Sequence, residues 1–162
     1  MDSIGLVVLG AVIGAAATGG VQAWIAARRR LLERKVAARA ILGDLYMTEG
    51  LLRGVLDHQQ WPVAFDSDRP LQTWKEFRGP FAAAVSGTEW AEVDRIFGAL
   101  HQIALAATLG EQSVEPAGPM VGDLLARLPR AQEIVARFAA DSETERAGIE
   151  AALKVAGGTS PA

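Results

Sequence analysis

The chain has 162 residues, half of them hydrophobic, a formal net charge of −3 and no cysteine. Without thiols there is no disulfide framework, no thiolate metal site and no cysteine nucleophile. The charge is also divided: residues 28–39 carry six bases against one acid (+5), and residues 40–162 carry ten bases against seventeen acids (−7). An acidic distal part is the wrong sign for a phosphate backbone, so nucleic acid is not expected as a partner.

In chain order, the first element is Ile4 to Ala27, twenty-four residues without one ionisable side chain. As a helix it spans roughly 36 Å, against a bilayer hydrocarbon core of about 30 Å. Its nine Ile, Leu and Val residues contribute roughly −3 to −5 kcal/mol to insertion. Arg28-Arg29-Arg30 ends the stretch, and Trp24 sits one turn before the triplet, where an indole keeps its ring in apolar surroundings and its N–H wet. Trp24, Arg28, Arg29 and Arg30 are therefore the expected membrane-interface residues. Basic residues cluster on one flank only, which predicts the N-terminus outside and the rest in the cytoplasm, at the inner (plasma) membrane. The competing reading is a cleaved signal peptide with its site at Ala15-Ala16-Ala17. It would need a basic start, and Asp2 is the only charged side chain there. Gly10 and Gly14 form a G-x-x-x-G, a spacing that lets two helices approach closely in lipid, although so much Ala and Gly also generates such pairs by composition.

Residues 28–156 are expected to form a cytosolic helical bundle of about four helices, with 157–162 a disordered tail. The first helix runs on past the triplet. Ile41, Leu42, Leu45, Leu52, Val55 and Leu56 form its apolar stripe, and Arg34, Arg39, Asp44, Glu49, Arg53 and Asp57 take the remaining positions. Residues 58–70 are a connector whose Trp61 and Phe65 either fold back over the bundle or face a partner. Pro70 opens a second helix bearing Leu71, Trp74, Phe77, Phe81 and Val85, which Pro80 should kink or divide.

Ser86-Gly87-Thr88-Glu89 has the spacing of a capping box, and Val85 with Trp90 that of a hydrophobic staple. The third helix then carries Trp90, Val93, Phe97, Leu100, Ala104 and Ala107 at spacings of three and four, the expected seam of the bundle, and Gly110 is a plausible stop. The fourth segment, Val121 to Phe138, is interrupted at Pro129. The acidic run from Asp141 to Glu145 either starts a last short helix or continues the fourth. No stretch alternates with period two, and no heptad run is long enough for an extended coiled coil.

Chemistry-bearing residues are few. Neither His58 nor His101 has a carboxylate at the spacing of a helical metal site, so no metal or cofactor is expected. An enzyme would need a polar pocket, and Arg78, Glu92, Arg95 and His101 are the side chains available to line one. The layout resembles a group of uncharacterised small single-pass membrane proteins of actinobacteria-like genomes. The resemblance rests on the Gly/Ala-rich span, the Arg-rich exit, AARAILGDLYMTEGLLRGVL, a Trp-containing connector and TEWAEVDRIFGAL, over residues 4–107. It implies a cytosolic helical domain and brings no activity. The expectation is a membrane-tethered interaction or scaffolding module without catalysis, with lipid and a protein partner or second copy as its contacts. A small membrane-active protein of the holin or toxin type is the other alternative.

Overall fold

The computed structural model describes the backbone of residues 2–61, 68–109 and 117–158, with side chains for 20–61, 69–107, 117–153 and 155. Within those residues the chain is all-α, with α1 Asp2–His58, α2 Asp68–Ala82, α3 Gly87–Leu109, α4 Gly118–Ala139 and α5 Glu143–Gly158. It divides into two compact units, Met1–Glu33 and Arg34–Ala162. Among the described residues no helix is long and apolar enough to cross a membrane. The side chains of residues 4–19, two-thirds of the apolar stretch, lie outside them, as do Phe65 and Gly110.

Among the described residues the second unit is a five-helix bundle rather than one of about four. The difference lies at residues 140–143, where α4 stops and α5 begins anew. Ser142 Oγ accepts the Glu145 N–H at 3.1 Å, and the Glu145 carboxylate accepts the Asp141 N–H at 2.7 Å. That is an S-x-x-E cap, which satisfies helix-start donors that an uninterrupted helix would not expose. Ala140 is extended (φ −130°, ψ 154°), so the α4 ladder ends there.

Pro129 does the opposite of what its residue type suggests. It lies inside α4, which runs unbroken from Gly118 to Ala139. A mid-helix proline removes one ladder bond, leaving the Leu125 carbonyl without its N–H partner. Pro129 is exposed, so water can take that carbonyl, while Val121, Leu124, Leu128, Ala131, Ile134 and Val135 pin both halves into the core. Pro80 likewise sits within α2, but the helix ends two residues later.

The core joins four helices. Ile41, Leu42, Leu45 and Leu52 of α1 meet Trp74 and Phe81 of α2, Val93, Phe97 and Leu100 of α3, and the buried stripe of α4. Ile149 and Leu153 of α5 are half-buried against them. The α3 seam is wider than its three-and-four spacing suggests, because Ile96 and Ile103 are buried too. Trp74 organises the aromatic part: it stacks on Phe97 (centroids 4.5 Å, 5°), lies 6.3 Å from Trp90, and meets Phe81 edge-on at 6.3 Å. Phe81 continues the cluster edge-on to Phe138 at 6.1 Å. Trp61 of the connector is half-buried against this core.

The capping box at the start of α3 forms as its spacing predicts. Ser86 N donates to Glu89 at 3.2 Å, and Glu89 N donates to Ser86 Oγ at 3.3 Å. Glu89 also takes Arg137 of α4, so one carboxylate caps a helix and ties two together. The Ser86 N–H, then Arg137, then the Ser86 hydroxyl hold the Glu89 carboxyl below its ordinary value. A depressed carboxyl contributes stability that is present above the unfolded pKa, about 4.3, and is lost as pH falls through the folded value. Glu89→Gln should therefore melt below wild type at pH 7, with the gap closing as pH falls below about 4.3. A gap that stays constant down to pH 3 in the same calorimetric series would show that this charge does not stabilise the fold.

Candidate functional site

Among the described side chains of the first unit, five large apolar ones stand exposed: Val21, Trp24, Ile25, Leu31 and Leu32, each between 53 and 61 % accessible. Every described residue from Gly20 to Glu33 is exposed. At 100° per residue, these five fall on one side of the helix, with the smaller Ala23, Ala26 and Ala27 on the other. Arg28 lies over the Trp24 ring, 5.4 Å from its centroid, in cation–π contact. Arg29 pairs with Glu33 at 2.9 Å, and Arg30 is exposed. Three consecutive arginines step 100° apart, so their guanidinium groups leave the helix on three different sides. Gly10 and Gly14 are helical, and their surroundings lie outside the described side chains.

Two of the remaining bases of the sequence cluster, Lys35 and Arg39, serve the bundle. Lys35 pairs with Asp141 beyond the end of α4. Arg39 donates from Nε to the Ala139 carbonyl at 2.8 Å and from Nη2 to Glu145. Partners 100 and more residues away are invisible to local spacing.

The four side chains that an enzyme pocket would draw on are not brought together. Arg78 is exposed on α2; Arg95 and His101 are exposed on α3. Glu92, half-buried, faces Arg130 of α4 at 3.9 Å. His101 is nine residues from Glu92, which turns it to the opposite side of the same helix. Among the described residues no group of three or more His, Asp or Glu is placed to hold a metal ion.

One polar feature of the interior escaped the sequence pattern. Asp44, assigned above to the polar face of α1, is 6 % exposed, and Thr48 and Gln132 are buried as well. The buried face of α1 is wider than one stripe because both α2 and α4 reach it. Arg69, at the start of α2, approaches Asp44 Oδ1 at 3.8 Å, while Oδ2 has no hydrogen-bond partner. Gln132 of α4 donates to Glu49 at 2.7 Å, and Arg53 holds the other oxygen of that carboxylate. Burial, then Glu150 and Glu49, push the neighbouring Tyr46 phenol up, keeping it neutral throughout the physiological range. These groups fasten α1 to α2 and α4. Compared with known proteins, the chain matches no family model, no curated protein and no solved structure.

Proposed function

We propose that the chain is a single-pass membrane protein in which Ile4–Ala27 anchors a helical interaction or scaffolding module, with the N-terminus outside and the bundle in the cytoplasm. The observation that carries the reading is the exposure of Val21, Trp24, Ile25, Leu31 and Leu32. An apolar side chain of that size contributes about 1.5–3 kcal/mol when removed from water, and here none of the five obtains it within the unit. Lipid supplies that environment to Val21, Trp24 and Ile25 within the span, and its interface to Leu31 and Leu32 just past Arg30. The uncharged run continues upstream to Ile4, long enough to span. Arg28–Arg30 at its end favour the cytoplasmic side.

Support for an interaction module comes from the bundle itself, whose polar side chains close helix ends and link helices. The scatter of Arg78, Glu92, Arg95 and His101 leaves an enzyme pocket without its lining. Paired C-terminal fusions test the anchor: green fluorescent protein should fluoresce and alkaline phosphatase should stay silent. An active phosphatase on a chain lacking its first residues would replace the anchor by a cleaved signal peptide.

A further inference from the structure

We propose that Trp24, Arg28 and Arg30 form an anionic-phospholipid binding collar, a role from which Lys35 is withdrawn by the bundle; the inference rests on the membrane-anchor reading above. Between Gly20 and Glu33 the only acid is Glu33, and Arg29 already holds it. Among the described residues, neither Arg28 nor Arg30 is paired with a carboxylate, so the segment presents two positive charges beside exposed Trp24, Leu31 and Leu32. Arg28 is poised over the indole, whose ring suits the apolar edge of a headgroup layer and supports the cation above it. Arg28 and Arg30 project to nearly opposite sides of the helix, so lipid phosphates can be taken on both sides of a helix standing in the bilayer. A helix lying flat on the surface would gather its bases on one face.

A second copy is the other occupant for such a face, and the charge pattern disfavours it. Val21, Ile25, Arg28 and Leu32 follow a four-three-four spacing, which places Arg28 within any seam built on this side. Two copies inserted the same way would oppose Arg28 to Arg28, whereas an anionic headgroup neutralises it.

The test reconstitutes the full chain into vesicles of equimolar phosphatidylcholine and phosphatidylglycerol and compares the association of spin-labelled forms of the two lipids. A basic residue near an anionic surface changes association about fivefold. Wild type should prefer phosphatidylglycerol, and joint Arg28→Gln and Arg30→Gln should reduce that preference by at least about fivefold. Lys35→Gln should keep it, with circular dichroism confirming the helical fold of each variant. Vesicle flotation without any phosphatidylglycerol preference, or an equal loss in Lys35→Gln, overturns the collar and leaves the anchor standing. A chain that does not float with vesicles overturns the anchor and the collar together. Disulfide cross-linking of two copies through Val21→Cys or Ile25→Cys, with no lipid preference, assigns the face to self-association and also overturns the collar.

Discussion

Trp74→Ala should lower the unfolding free energy by about 3–5 kcal/mol, the cost of deleting a large buried aromatic side chain. Trp74 is 5 % exposed and touches three other rings, so its loss opens a cavity shared by α2 and α3. Its parallel stack on Phe97 adds to the burial, since such ring pairs are worth about 0.5–1.5 kcal/mol beyond their area. Against a total of roughly 5–15 kcal/mol for a domain, the melting midpoint of the full chain should fall by about 10–20 °C, or the transition should lose its cooperativity. Trp90 makes the informative contrast. It is half-buried, and its indole N–H is enclosed with no acceptor. Trp90→Phe removes that unsatisfied donor while keeping a ring, so it should cost less than about 1 kcal/mol. Equal midpoints for Trp74→Ala and wild type in a circular-dichroism melt would mean that the α2–α3 aromatic contact does not hold the bundle.

The sequence revealed the parts of this fold that depend on neighbours in the chain. Apolar residues three and four apart identified α1, α3 and α4 and most of their buried faces, and the Ser86–Glu89 box marked the start of α3. The same S-x-x-E spacing recurs at Ser142–Glu145, but it sits in an acidic run that a continuing helix also tolerates, so the fifth helix stayed ambiguous. Pro129 reads as an interruption in the sequence because residue type reports the lost hydrogen bond and not the buried stripe that outweighs it. Asp44 departs from its polar-face assignment for a related reason: helical spacing gives the direction of a side chain, not how many helices surround it. The candidate site divides along the same line. The Trp24–Arg28 contact is an i,i+4 relation, within reach of sequence reasoning. The removal of Lys35 and Arg39 from the basic cluster depends on the chain returning to them 100 and more residues later.

Arg39 is where that division becomes a measurable choice. The Ala139 carbonyl is one of the last four of α4 and has no partner within its own helix. Arg39 Nε reaches it from α1, and the same guanidinium pairs with Glu145 in the first turn of α5, so one side chain closes a corner between three helices. A charged hydrogen bond of this kind is worth about 1.5–3 kcal/mol when well protected. Arg39 is 48 % exposed and Glu145 38 %, so water screens the ion pair and its own share should stay below about 1 kcal/mol. Arg39→Ala should therefore destabilise by about 2 kcal/mol, most of it from the carbonyl left without a donor. A double-mutant cycle with Glu145→Ala should return a coupling below about 1 kcal/mol. Arg39→Lys should recover little, because a single ammonium does not reproduce two donors held in one plane. If Arg39→Ala instead kept the wild-type melt and lost preference for phosphatidylglycerol, Arg39 would face the lipid with Arg28 and Arg30, and α4 would have to end on solvent.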